Sequence, residues 1–380
     1  MRLPLVAASV LLAINVATVR AQGFAPVDAA INSGIARHVY PGAVLVVGRA
    51  DTILYAHGYG HFTWSAASPV PNPSTTRWDM ASLTKIVATT ASMARLVQEH
   101  RVDLDAPVVK YLPEFVGGRK GEVTVRMLLN HTSGMPPYAP LFKTAHSPAE
   151  ARRQLFAVPL RRAPGASAVY SDLNAMLAGF VIAAVTGQPL DQFAETAVFT
   201  PLGMTSTHFR PTGIDKAQAA PTGQYHGHPV GGVVNDQNAV VFGGVSGHAG
   251  LFSTGADLSR FMQAWLNAGK GKSDWLKRAT VAEFLTRSPT SDTRVLGWDT
   301  PVPPNSPKPS LFGRCATTST FGHTGWTGTE LWFDPSADLF VVLLTNRSFA
   351  PADPKGSFLQ LKDVRANVAD AVRRAAGRCG

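Results

Sequence analysis

The segment Met80-Ala81-Ser82-Leu83-Thr84-Lys85 places a serine three residues ahead of a lysine, at the head of a run with no proline or glycine before His100. Ala, Met and Leu recur there at helical spacing, which predicts a helix from about Ser82 to His100. Residues i and i+3 share a helix face, so the Lys85 amine comes within reach of the Ser82 hydroxyl. A serine hydroxyl is a poor nucleophile without a base beside it. The amino end of a helix adds positive potential and free N–H groups. Taken alone, the same pair also describes an ordinary N-cap serine and a solvated lysine.

Two distant segments supply the groups that such a serine lacks. Tyr170-Ser171-Asp172, with Asn174 just beyond, opens a second helical run. A tyrosine in a positively charged cleft ionises below its usual pKa of about 10 and can take the serine proton. Without such a cleft, it is a half-buried tyrosine beside a helix cap. Phe321-Gly322-His323-Thr324-Gly325-Trp326-Thr327-Gly328-Thr329 is dominated by Gly and Thr and leads into a β-rich run. Small residues let a substrate backbone approach a sheet edge, and Thr324 can meet a carboxylate or carbonyl there. The plainer alternative is a glycine-rich turn entering a strand.

The elements that must hold these groups follow from patterning. A helix-like stretch (about 27–38) precedes two β-rich runs (43–49 and 52–57) around Ala50-Asp51, a hairpin signal. Residues 65–76 are rich in Ser, Pro, Thr and Asn and read as a loop. Helical pieces are expected at 125–130, at 173–186 with Gly187 closing it, and at 257–267. Further β-rich runs at 330–333 and 339–345, then a helix over 362–376, complete the chain. Strands thus lie at both ends with helices between them. The fold class is α+β: an antiparallel sheet built from both chain ends, flanked by helices, with an inserted mostly helical region.

Composition narrows the function classes. The 380 residues are 45% hydrophobic and 16% charged, with a formal net charge of +10. That excludes disorder and low-complexity assemblies. The basic residues are scattered, which argues against nucleic acid as partner. Arg2 followed by the mostly apolar stretch 3–17 and Val19-Arg20-Ala21 reads as a secretory signal peptide over residues 1–21, with a retained N-terminal anchor as the alternative, leaving 22–380 as one domain. The expected location is periplasmic or secreted, with no stable membrane span once the leader is removed. Cys315 and Cys379 are the two cysteines. They could pair in an oxidising compartment, although the sequence does not give their distance.

Ser82-x-x-Lys85, Tyr170-Ser171-Asp172 and His323-Thr324-Gly325, in this order and at these separations, resemble the three elements of the serine β-lactamase and penicillin-binding superfamily. The tyrosine is similar to the class C branch, with its esterase and D-Ala-D-Ala carboxypeptidase relatives. Leu128-Leu129-Asn130-His131-Thr132-Ser133-Gly134-Met135-Pro136 and Gly247-His248-Ala249-Gly250-Leu251-Phe252-Ser253-Thr254 resemble that branch too. The resemblance implies a β-lactamase/transpeptidase-like fold with Ser82, Lys85 and Tyr170 as catalytic residues. It implies substrate contacts at Asp172, His323, Thr324, Gly325, Trp326 and His248, and an oxyanion hole from the N–H groups of Ser82 and Trp326. No cofactor or metal is called for.

Asp172 stands where class C enzymes carry Asn, and His323 where penicillin-active members carry Lys. An amide both donates and accepts, whereas a carboxylate only accepts. A lysine is a standing positive charge; a histidine near pH 7 is largely neutral. The expected substrate is therefore a small molecule or a peptidoglycan-derived one: an ester, a D-amino-acid peptide or a β-lactam. The alternative is a penicillin-binding sensor or pseudoenzyme that is acylated without turnover. Other motifs fail on spacing. Ala268-Gly269-Lys270-Gly271-Lys272-Ser273 lacks the first glycine of a phosphate loop, and His226-Gly227-His228 lacks a metalloprotease partner.

Overall fold

The computed structural model describes residues 23–287, 293–302, 310–349 and 353–379; the leader expected over residues 1–21 lies outside the described residues. Ten strands occur in chain order: β1 (Gly42–Gly48), β2 (Ile53–Gly60), β3 (Trp78–Asp79), β4 (His208–Phe209), β5 (Gly223–Tyr225), β6 (His228–Val230), β7 (Leu251–Ser253), β8 (Phe321–Thr324), β9 (Glu330–Asp334) and β10 (Leu339–Thr345). The main sheet has the order β2-β1-β10-β9-β8, and every pairing in it is antiparallel. Ala43 of β1 pairs with Thr345 of β10, so the two ends of the chain meet at the centre of the sheet.

Strands β1 and β10 are apolar at almost every position because both of their faces are covered. Side chains alternate between faces along a strand. Val44 and Val46 of β1, with Phe340, Val342 and Leu344 of β10, pack into the core shared with the helical region. Ala43, Leu45 and Val47, with Leu339, Val341 and Leu343, pack against the N-terminal helix (Ala25–Ala36) and the C-terminal helix (Pro354–Ala375). Cys315 and Cys379 are disulfide-bonded, with Cα atoms 5.6 Å apart, tying the end of that last helix to the segment before β8.

The middle of the chain is mostly helical, as patterning predicts. The long expected helix is wound unevenly: a 3₁₀ turn at Ala81–Leu83, a π-helical stretch at Lys85–Thr90, then an α-helix over Ala91–Gln98. A second helix, Asp172–Thr186, is closed by Gly187 in the left-handed region at φ 71°, where glycine carries no Cβ penalty. No single described helix is long and apolar enough to cross a membrane; the bent pair Asp172–Thr186 and Leu190–Phe199 passes that test jointly, by length and composition only. Its Leu173, Leu177, Val181 and Phe193 are core residues.

Candidate active site

Ser82 sits just past β3, in a backbone held from several sides. Ala81, immediately before it, has φ 45°, an uncommon conformation for a residue with a Cβ. Such a residue persists only where its surroundings over-determine it. Here the Ala81 N–H donates to Asp79 Oδ1 at 2.8 Å, and Thr327 Oγ1 donates to the Asp79 carbonyl at 2.7 Å. The 3₁₀ turn that follows has about three residues per turn, so side chains at i and i+3 eclipse. Lys85 accordingly lies over Ser82, with Nζ 2.9 Å from Ser82 Oγ. Tyr170 approaches from the other side and donates its hydroxyl to Ser82 Oγ at 2.8 Å.

Lys85 is 3% exposed. Its ammonium also donates to the His248 carbonyl at 3.1 Å and forms an ion pair with Asp172 Oδ1 at 2.8 Å. Burial is the largest influence and opposes the lysine charge, but Asp172 and Tyr170 together outweigh it and raise Lys85 above the usual lysine value. Burial likewise works against the Asp172 charge, and Lys85 holds that carboxyl below the usual range. Asp172, expected to face substrate, is thus the lysine's counter-ion.

The expectation of an acidic tyrosine is reversed. Tyr170 is pushed above its ordinary value: burial dominates, and Lys85 only partly offsets it. Tyr170 is clamped by His131, a residue the sequence placed only within a family-like segment. The Val169 N–H donates to the His131 carbonyl at 2.8 Å, and the Ser171 N–H donates to its Nδ1 at 3.1 Å. Burial drives the His131 pKa well down, so the ring stays a neutral acceptor. Arg294, which no sequence signal flagged, lays its guanidinium over the Tyr170 ring at 4.9 Å and pairs with Asp299.

The third motif arrives on β8, the edge strand. Register puts His323 opposite Leu331 and Thr324 opposite Glu330, so these neighbours point to opposite faces. The Tyr170 and His323 ring centres are 5.8 Å apart. His323 is buried, which lowers its pKa to about 4, and its Nδ1 lies 2.9 Å from the Thr324 carbonyl. A carbonyl only accepts, so Nδ1 carries the proton and Nε2 is left as an acceptor. Asp299 covers the outer edge of β8 at Gly322 through N–H···O bonds of 2.7 and 2.9 Å.

Gly325 begins a turn that packs against the backbone just ahead of Ser82. A Cβ there would lie 2.7 Å from the Met80 carbonyl and 3.4 Å from Ala81 Cβ, so only glycine allows this approach. The buried Arg365 donates to the Gly325 and Thr329 carbonyls at 3.1 and 2.8 Å, and Arg347 donates to the Trp326 carbonyl. Trp326 is 56% exposed, and its ring lies tilted against that of Phe358 with centroids 5.3 Å apart. His248, a candidate for contacting substrate, instead has a fully buried ring set between Asp236 and Ser246, each at 2.8 Å. What it presents to Lys85 is its carbonyl. Among the described residues no group of three or more His, Cys, Asp or Glu is placed to hold a metal ion.

The β-lactamase family model matches residues 27–364. The chain belongs to the β-lactamase family. A relative in Escherichia coli strain K12, named "Putative D-alanyl-D-alanine carboxypeptidase", is 35% identical over 353 residues, covering 83% of this chain and 81% of that protein. Among solved structures, a penicillin-binding protein homologue from Caulobacter crescentus superposes with TM-score 0.71 at 20% identity, covering 93% of this chain and 98% of that one. EstCE1, a hydrolase with promiscuous acyltransferase activity, superposes with TM-score 0.68 at 22% identity, covering 90% and 97%. The fold is therefore that of the β-lactamase family, as the three ordered motifs imply. Within it, the structure brings Ser82, Lys85, Tyr170, Asp172 and His323 into one cluster, with the Gly325–Trp326 turn against its base.

Proposed function

We propose that this protein is an exported serine hydrolase that cleaves an ester or a D-amino-acid peptide through an acyl-enzyme. The observation that carries this is the Ser82 hydroxyl oxygen receiving both Lys85 Nζ and the Tyr170 hydroxyl within 2.9 Å. Tyr170, once ionised to the phenolate, takes the Ser82 proton as Ser82 Oγ attacks the substrate carbonyl, and then passes that proton to the leaving group. The N–H groups of Ser82 and Trp326 receive the developing oxyanion, a contribution worth about 10²–10³ in rate for one donor. A water activated by the same tyrosine then releases the acid. The name of the Escherichia coli relative supports a D-alanyl substrate, and the residue 1–21 leader supports export.

The test is turnover of p-nitrophenyl acetate, a D-Ala-D-Ala peptide and nitrocefin, beside labelling by a fluorescent penicillin. Ester or peptide turnover lost in Ser82→Ala is expected. Turnover that survives Ser82→Ala would refute the mechanism, and stable labelling without turnover would make the protein a binder. Fractionation of cells expressing the full chain tests export.

A further inference from the structure

Lys85 Nζ has three N–H bonds and, as an ammonium, no lone pair. Two acceptors take hydrogen bonds from it, Ser82 Oγ at 2.9 Å and the His248 carbonyl at 3.1 Å, and the Asp172 carboxylate faces its charge at 2.8 Å. The lysine is almost wholly buried, and that carboxylate is the counter-ion for its charge. Nothing in this arrangement asks Lys85 to be neutral. The His248 carbonyl is itself fixed in place, because the ring of that residue is pinned between Ser246 and Asp236.

We propose that Asp172 is a positioning residue that locks Lys85 as a permanent ammonium, so that Tyr170 alone accepts the Ser82 proton. This rests on the acyl-enzyme reading above. The step balances as follows. The Tyr170 phenolate takes the Ser82 proton, the Ser82 oxygen bonds to the substrate carbonyl carbon, and the carbon–leaving-group bond breaks. The leaving group then recovers the proton from Tyr170.

Asp172 also sets the pH at which this tyrosine becomes competent. The groups facing Tyr170 are Lys85 and Arg294, both cationic, the neutral rings of His131 and His323, and the Asp172 carboxylate. The Asp236 carboxylate also acts on Lys85's partner Asp172. Lysine and aspartate cancel at short range, which leaves Tyr170 without the full benefit of the lysine charge. An asparagine at 172 would keep the shape and remove that cancellation. The phenolate would then form at lower pH.

The experiment is kcat/KM against pH for p-nitrophenyl acetate, in wild type and Asp172→Asn, with Ser82→Ala as control. The acid limb should move down by about one pH unit in the variant, in line with loss of one charge at this distance, with KM changing little. A limb that stays fixed while KM rises would overturn the proposal and make Asp172 a substrate contact. Should Asp172→Asn fold poorly, phenolate absorbance near 295 nm in wild type minus Tyr170→Phe gives the tyrosine midpoint directly. It is expected above the ordinary value of about 10; a midpoint at or below neutrality would overturn the proposal. Activity remaining in Ser82→Ala would instead refute the acyl-enzyme reading, and the absorbance titration stands apart from turnover.

Discussion

On the cleft side of the main sheet, Lys85 and Asp172 lie 2.8 Å apart, each compensating the other. On the opposite side, Glu330 of β9 faces the C-terminal helix, which carries Arg365 and Arg373. That carboxyl is fully buried, and neither of its oxygens has a hydrogen-bond partner among the described residues. Burial pushes its pKa to about 7, with the two arginines only partly opposing. The arginines spend their donors elsewhere: Arg365 on the Gly325 and Thr329 carbonyls, Arg373 on the Phe312 carbonyl and Thr320 Oγ1. The cleft pair holds both charges beside Ser82. The rear cluster uses cations as clamps on backbone and keeps its acid close to neutral, so of these two buried carboxyls one is paired and the other suppressed.

The comparison breaks most visibly at Lys85. Lys85→Met should lower kcat/KM by about 10³-fold or more, since it removes the donor to Ser82. It also strands Asp172, at a cost of about 3–5 kcal/mol in denaturant unfolding. Lys85→Met/Asp172→Asn should regain most of that stability and none of the activity; recovered activity would mean that the pair is structural. Arg365→Met comes next. Loosening the turn that carries the Trp326 amide should lower kcat by up to about 10²-fold with a smaller change in KM, because a misplacement of about 1 Å costs that much. An unchanged kcat would detach the rear cluster from catalysis.

Glu330→Gln gives the smallest effect and the sharpest reading of sign. The folded pKa of about 7 lies above the ordinary 4.5, so the carboxyl favours folding while protonated. Wild-type stability from this group is full below about pH 4.5 and is lost as pH rises through 7. Glutamine has no such loss. The variant should match wild type near pH 4 and exceed it by about 3 kcal/mol at pH 8, measured by denaturant unfolding. A variant less stable than wild type at pH 8 would show Glu330 to be a working counter-ion.

The grouping of side chains around Ser82 was legible where it is carried by local words. Ser82 and Lys85 are three residues apart on one helical turn, and the second and third motifs announce themselves through Tyr170 and His323-Thr324-Gly325. The two-ended sheet was legible because β1 and β10 are unbroken apolar runs. What failed depends on tertiary surroundings. The direction of the Tyr170 shift is set by burial, which no spacing reports. Arg294 reaches Tyr170 across the fold, and His131 acts through a backbone carbonyl and a ring nitrogen in a left-handed conformation at φ 61°.

Some signals were present and unread. Ser147-Pro148-Ala149-Glu150 is a capping-box pattern, and Ser147 does cap the helix Pro148–Ala157. Asp353 with Pro354 marks the true start of the C-terminal helix, ahead of the expected residue 362.

The pairing of β1 with β10 has a consequence for biosynthesis. Ribosomes deliver the β1–β2 hairpin well before its central partner, β10. Until then β1 offers an unpaired apolar edge, the kind of surface that folding helpers shield. His323 and the Trp326 turn arrive with the same late segment. The surroundings of Ser82 are therefore incomplete until β8 to β10 have been made, and the central pairing of the sheet closes only with the last of them.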